Sequence, residues 1–373
     1  MSATPPVITS AELLQALENL APGDFIALDT EFMRESTYFP KLCLIQAANS
    51  GACAVLDPLT LPDLAPLWQF LADRQRTKVL HAARQDLEVL ATGRRDSSVP
   101  GPIFDTQIAA ALLGYPAQIG YGSLVAERLG HTLAKGHTRT DWTRRPLTPE
   151  QLQYAEDDVR YLVPLYLDLR DALQAAGRLE WLYEETRELE GLDLQGADPD
   201  APWRRLKGLD RLQPQQRATL KLLAQWRETA AIRHDKPRGW ILADDALREL
   251  AERMPSTTHD LEAVRSVPAG VVRRRGEEIL ALVERGRVDA VNEAAASTPP
   301  RPQPQQIALV TKLMNVARET AQHAKINAEL LATRRDVEQL VFTRRTEHLL
   351  SGWRREIIGE PLLAAARESG LDL

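Results

Sequence analysis

Along the first half of the chain, apolar residues fall in short runs bounded by turn chemistry, and their period changes from run to run. Phe25-Ile26-Ala27-Leu28 follows Pro22-Gly23-Asp24 and stops at Asp29, a continuous apolar run of strand length. Lys41 to Ala48 and Ala52 to Asp57 repeat that character on either side of Asn49-Ser50-Gly51, so these first three runs predict a meander. Lys78 to His81 and Ile103 to Asp105 predict two further short strands. Between and after them the spacing becomes helical, over residues 10–20, 62–72, 85–91, 106–113 and 123–129. A long helix is expected over residues 148–176, opened by the capping box Thr148-x-x-Gln151 with Pro149 at its first position and kinked near Pro164. Strands that meander and then alternate with helices predict an α/β domain, a mixed sheet covered by helices.

Beyond residue 190 no strand pattern recurs. Polar, proline-bearing stretches at 191–204 and 291–305 divide the remainder, giving an α/β domain over 1–190 and helical domains over 205–290 and 306–373. Among the 373 residues, 44% are hydrophobic and 26% charged, an ordinary globular balance. No apolar run is long enough to span a membrane, and Met1 to Ile8 lacks the basic and apolar parts of a signal peptide. Cys43 and Cys53 lie in strand-like runs without metal-site spacing and are expected to be buried thiols in a reducing cytoplasm. Residues 1–200 carry 17 Lys/Arg against 29 Asp/Glu, whereas residues 201–373 carry 29 against 23. An acidic front and a basic back fit a metal-dependent enzyme with an anion-binding appendage. On this division, a truncation near Leu192 is expected to keep cleavage activity, with Trp181 and Tyr183 the weakest points of the assumption.

Candidate chemistry starts where the first strand ends. Strand side chains alternate, so Asp29 and Glu31 share a face and Thr30 points away. Two carboxylates converging at the end of a buried strand repel and lose solvation, and a hard cation such as Mg2+ or Mn2+ relieves both costs. A surface turn would carry an Asp-x-Glu equally well, so the partners decide. Asp86 opens the helix after the fourth strand, and Tyr154 and Asp158, four apart, project from one face of the long helix. Asp157, about 100° away, is expected to face solvent. Together these groups match what two-cation phosphoryl transfer needs: several carboxylates and one group to orient a water.

The order of these residues resembles the three exonuclease motifs of the DEDD superfamily, tyrosine subclass: Asp29-Thr30-Glu31, His81-x4-Asp86-Leu87-Glu88 and Tyr154-x3-Asp158. The words LDTEFMRESTYFPKLCLIQ (28–46), VLHAARQDLEVL (79–90), FDTQIAAALLGY (104–115) and RTDWTRRPLTPEQLQYAEDDVRYL (139–162) resemble ribonuclease D. Residues 205–290 resemble the HRDC domain, a nucleic-acid-binding helical module shared with RecQ-type helicases, and LSGWRREIIGEPL (350–362) resembles a second HRDC-type domain. The resemblance implies a ribonuclease H-like mixed sheet followed by two all-α HRDC-type domains. It also implies a cytoplasmic, monomeric 3′→5′ exoribonuclease acting on tRNA precursors and other structured RNA 3′ ends, with no membrane association. A DNA exonuclease on the same fold, or an RNA-binding scaffold without activity, are the alternatives. Asp29, Glu31, Asp86 and Asp158 would hold two divalent cations, Mg2+ or Mn2+, and Tyr154 would position the water. In the histidine subclass a His stands where this chain has Gln153, which leaves Tyr154 as the candidate.

Four more residues are candidate substrate contacts. Gln46 rests on resemblance alone. His81 either meets a phosphate or packs. Arg139 could pair with phosphate, and Trp142 either stacks a base or anchors its loop. Asp105 is expected to cap the helix at Thr106. Arg273-Arg274-Arg275, Arg334-Arg335, Arg344-Arg345 and Arg354-Arg355 either track phosphates or form solvated helix faces.

Overall fold

The computed structural model describes residues 7–8, 12–94, 101–133, 140–190, 203, 206, 208–293, 303–344 and 348–370. The chain forms two compact units, each built from separate stretches. The first comprises Met1–Met33, Leu42–Leu192 and Arg301–Leu373, and the second comprises Arg34–Lys41 and Asp193–Pro300.

The first unit is organised by a six-stranded sheet in the order β1-β4-β3-β2-β5-β6. Its strands are β1 (Val7–Ile8), β2 (Phe25–Met33), β3 (Lys41–Ala48), β4 (Cys53–Leu56), β5 (Thr77–Leu80) and β6 (Ile103–Asp105). The sheet is mixed: β3 and β4 pair antiparallel, with Ala48 opposite Cys53, while β1–β4, β2–β5 and β5–β6 are parallel. The neighbouring places of β2, β3 and β4 agree with the expected meander, and the added β1 is too short to leave a pattern in the sequence.

Helices cover both faces: α1 (Leu13–Leu20), α2 (Ala65–Leu71), α3 (Arg84–Arg94), α4 (Thr106–Leu112), α5 (Tyr121–Leu129), α6 (Pro149–Arg160), α7 (Leu162–Ala175) and α8 (Leu179–Thr186). The alternation in β2 assigns the faces. Phe25 and Ala27 enter the core with α4, α5, α7 and α8, whereas Ile26 and Leu28 enter the core with α1, α2 and α3. Asp29 and Glu31 therefore continue the first face and Thr30 the second.

The long helix after Thr148 is broken at Tyr161, one turn before the expected kink. Pro164 has no N–H to give the carbonyl of Arg160 four residues back, so α6 ends there and α7 begins at Leu162. Thr148 and Gln151 form the expected capping box: the Gln151 N–H reaches the Thr148 hydroxyl at 3.3 Å, and the Thr148 N–H reaches the Gln151 Oε1 at 2.8 Å.

The C-terminal helices of this unit complete the sheet domain's own core. Leu309, Leu313, Ala317, Leu340 and Trp353 join Leu112, Leu165, Leu169 and Leu182 in one hydrophobic cluster. Trp181 stacks on Trp353 at 4.9 Å with the rings 13° from parallel. The Arg354 guanidinium, 5% exposed, forks onto the Glu185 carboxylate, with Nη2 2.7 Å from Oε2, and the Trp353 indole N–H donates to Glu185 at 2.7 Å. Asn327 donates its backbone N–H to the Ala111 carbonyl at 2.9 Å and its side-chain amide to Tyr115 at 3.0 Å. Arg354 is thus an internal ion pair and not a phosphate contact. Of the other basic clusters, Arg273 and Arg274 are exposed and Arg334 pairs with Glu338 at 2.8 Å; Arg345 lies outside the described residues.

The second unit packs helices Pro214–His234, Arg238–Ile241, Asp244–Arg253, Thr258–Glu262 and Ala269–Glu293 around Leu220, Leu223, Leu247, Leu250 and Ile279. Its short segment 34–41 is held by specific bonds. The Tyr38 and Phe39 N–H groups both donate to Asp235 Oδ1 at 3.0 Å, and the Tyr38 hydroxyl donates to Glu228, itself forked by Arg238 at 2.5 and 2.6 Å. The helices of 21, 4 and 10 residues that open this unit recur 90 residues later, where Pro304–Ala324, Ala328–Leu331 and Arg334–Thr343 follow Pro214, Arg238 and Asp244 at one constant offset. Both long helices start at a Gln-Pro capping box and end on a left-handed residue, Asp235 (φ 46°) or Lys325 (φ 52°).

Candidate metal centre and active site

The sheet brings its acidic residues together where β2 outruns its neighbour. The β2–β5 pairing runs from Phe25↔Thr77 to Ala27↔Val79, and β2 continues to Met33 beyond the end of β5. The overhanging end carries Asp29, Thr30 and Glu31. From the α6 side Asp158 completes a group of three carboxylates whose nearest oxygens all lie within 4.8 Å of one another. A cleft lined by these three, Thr30, Phe32, His81, Gln85, Asp86, Tyr121, Tyr154 and Leu162 surrounds them.

Asp86, 8% exposed, arrives from the opposite face of the sheet on the first turn of α3. The Thr30 hydroxyl donates to Asp86 Oδ1 at 2.6 Å. Thr30 points away from Asp29 and Glu31 as expected, and in doing so it meets Asp86. The corner between β5 and α3 is fixed by Asp105. This carboxylate, 3% exposed, accepts from the Ala82 and Ala83 N–H groups at 3.1 and 2.8 Å and caps α4 through Gln107 at 2.8 Å and Ile108 at 3.4 Å. Ala82 sits at φ 55°, a conformation rare for a residue with a Cβ, and the bond to Asp105 helps hold it there. Asp105 is therefore the helix cap that its position before Thr106 suggested.

Packing and mutual repulsion act on every carboxylate of the cluster. Burial is the largest influence on each. It raises Asp29 well above 3.8, with Asp86, Asp158 and Glu31 adding to the rise. Glu31 is pushed from 4.5 to about 8 by burial, then by Asp158 and Asp86. Asp158 rises to about 7 through burial, opposed by the hydrogen bond from the Tyr154 hydroxyl, and Asp86 rises to about 6 through burial, opposed by Thr30. Groups that hold protons near neutrality for these reasons release them to a cation, and an all-carboxylate donor set suits a hard divalent ion. The Tyr154 phenol is raised above 10 by burial and by Asp158, Glu31 and Asp29, so it keeps its proton at pH 7.

The remaining sequence candidates fall outside the acidic cluster or in its wall. His81 borders the cleft with both ring nitrogens engaged: Nδ1 lies 2.9 Å from the Thr106 hydroxyl and Nε2 3.0 Å from the Ile119 carbonyl. Burial lowers its pKa, and the neutral ring that donates from Nε2 and accepts at Nδ1 satisfies both partners. Trp142 is 3% exposed, packed with Cys43, Leu44 and Val55, its ring 6.1 Å from that of Tyr154. Of its two expected roles, loop anchor is the one this burial permits, and base stacking is not. Arg145 holds the same loop by a two-pronged bond to Asp57 at 2.5 and 2.7 Å. Gln46 is fully buried on β3, and neither amide atom has a hydrogen-bond partner among the described residues. Arg139 lies outside the described residues. Asp157 is partly exposed, and its carboxylate accepts from the Gln153 amide at 3.0 Å.

Two contributors escaped the pattern. Thr30 reads as an ordinary strand residue, and Tyr121 reads as part of a glycine-rich turn. The Tyr121 hydroxyl donates to the Asp157 carbonyl at 3.1 Å, and its ring lies 5.6 Å from that of His81 in the cleft wall.

Comparison with known proteins agrees with this geometry. A family model described as 3′-5′ exonuclease matches residues 6–174, and the HRDC domain model matches residues 216–283. The chain is 37% identical over 361 residues to ribonuclease D of Nitrobacter hamburgensis, covering 96% of this chain and 94% of that protein. It is 35% identical over 367 residues to ribonuclease D of Cronobacter turicensis, covering 95% and 98%. Among solved structures it superposes on Escherichia coli RNase D, described as an exoribonuclease involved in structured RNA processing. The TM-score is 0.83 at 33% identity, over 97% of this chain and 98% of that one.

Proposed function

The chain belongs to the ribonuclease D family of 3′→5′ exoribonucleases, and on that footing we propose that it trims the 3′ ends of tRNA precursors and other structured RNAs by two-cation hydrolysis. The observation that carries the reading is the convergence of Asp29, Glu31 and Asp158 beside a protonated Tyr154 bonded to Asp158. Asp29, Glu31 and Asp158 would hold one divalent cation, and Asp29 with Asp86 the second, Mg2+ or Mn2+ by the hardness of the donors. When bound, such a pair lowers the pKa of water and stabilises both the attacking and the leaving oxygen.

The chain's own groups supply placement. Tyr154 keeps its proton and so serves as a hydrogen-bonding guide for the attacking water, while Asp158 fixes the direction of the hydroxyl. Attack on the terminal phosphodiester frees the 3′ oxygen of the shortened RNA and releases one mononucleotide. His81, with its nitrogens occupied, serves to hold Tyr121 and the cleft wall. The two helical segments would supply RNA affinity, the 306–373 segment as a second HRDC-like domain, an assignment the recurring helix lengths support. Action in a reducing cytoplasm accords with the free thiols Cys43 and Cys53, and the chain is proposed to act there as a monomer.

The test is Tyr154→Phe on a 3′-labelled RNA with Mg2+ or with chelator. The wild-type chain should release mononucleotides only with metal. The variant should lose on the order of 10²-fold or more in turnover, as positioned general-base groups do, while its Mn2+ affinity is retained. Unchanged turnover with weakened metal binding would overturn the assignment.

A further inference from the structure

We infer that Thr30, the middle residue of Asp29-Thr30-Glu31, is a positioning residue for the second cation site, acting through Asp86. The inference rests on the two-cation reading above. Asp29 and Glu31 need no help in facing the cleft, because the strand that carries them points them there. Asp86 has no such guarantee. It comes from a helix on the other face of the sheet, and to act beside Asp29 its carboxylate must turn around the end of β5.

The overhang of β2 makes that turn possible. Beyond the β5 pairing, the edge of β2 is open to α3, and there Thr30 offers its hydroxyl, 2.6 Å from Oδ1. A carboxylate with one oxygen tied to a hydroxyl has lost rotation about its last bond, and its other oxygen is left for a cation. Thr30 is 5% exposed and lines the cleft beside Asp86.

The alternative is that the Thr30 hydroxyl only satisfies a buried acceptor and contributes to stability. Thr30→Val separates the two, because it preserves the shape and the β-branch suited to a strand and deletes the hydroxyl alone; Thr30→Ser restores the donor. Mn2+ titration followed by electron paramagnetic resonance counts the ions bound, and turnover on 3′-labelled RNA is measured alongside. In Thr30→Val the weaker Mn2+ site should lose about 10–100-fold in affinity, the range seen when outer partners of metal ligands are removed. The tighter site should be unchanged, turnover at limiting Mn2+ should fall in parallel, and Thr30→Ser should recover both.

Wild-type behaviour at both sites in Thr30→Val, or equal weakening of both, would overturn the inference while leaving the two-cation reading in place. A wild-type chain that cleaves RNA with a single bound Mn2+ would overturn both.

Discussion

The acidic cluster predicts that, without a divalent cation, the folded chain loses stability as pH rises through neutrality. Glu31 is ordinarily a carboxyl of 4.5 and is raised to about 8 by burial and by its acidic neighbours. The folded state therefore holds a proton that the unfolded chain gives up near pH 4.5. Over that interval folding takes up protons, so stability falls as pH rises from about 4.5 to about 8 and is flat above. At about 1.4 kcal/mol per pH unit, Glu31 alone sets a ceiling near 5 kcal/mol. Asp158 at about 7 and Asp86 at about 6 titrate in the same window. Because the groups titrate together, the total is smaller than the sum of separate ceilings, and a fall on the order of a few kcal/mol is expected. Urea unfolding at pH 5, 6, 7, 8 and 9 measures it, in chelator and again with Mn2+. Mn2+ should flatten the curve. Asp29→Asn, which removes the carboxylate that Asp86, Asp158 and Glu31 all act on, should abolish turnover and make the decline in chelator shallower, with equal or higher stability at pH 8. A chelated wild-type protein equally stable at pH 5 and pH 8, or an Asp29→Asn variant that declines more steeply, would refute the electrostatic account.

Two further outcomes follow from the packing. A truncation ending near Leu192 should fail to give a cooperatively folding nuclease, because it strips Leu313, Leu340 and Trp353 from the core they share with α4, α7 and α8; size-exclusion chromatography and near-ultraviolet circular dichroism check it, and a monomeric, active fragment would contradict it. Trp142→Ala should cost about 3–5 kcal/mol as a buried aromatic truncation, while Trp142→Leu, which keeps apolar bulk and removes the aromatic face, should leave the KM for RNA unchanged, which a base-stacking role would not allow.

What the amino-acid order discloses here is what depends on local period. Alternation in β2 suffices to put Asp29 beside Glu31, helical spacing suffices to align Tyr154 with Asp158, and the capping chemistry at Thr148 and Asp105 marks two helix starts. The rest depends on which elements meet. That Thr30 finds Asp86 requires knowing that α3 lies on the second face and that β2 outlasts β5. Trp142 and Arg354 look like ligand-seeking side chains until their neighbours are known, Cys43, Leu44 and Val55 for the one and Glu185 for the other. Composition also marks breaks near residues 191–204 and 291–305, but no local signal shows that helices past residue 303 return to finish the first core.

That return has a consequence for time. A ribosome finishes α8 well before it reaches Trp353, the ring that covers Trp181. At about 5–20 residues per second the interval is roughly ten to thirty seconds. Throughout it the nascent sheet domain displays an apolar flank whose cover has not yet been translated. A message cut short between the codons for residues 303 and 353 would yield a chain bearing all four carboxylates of the cleft, Asp29, Glu31, Asp86 and Asp158, and no finished core to aim them.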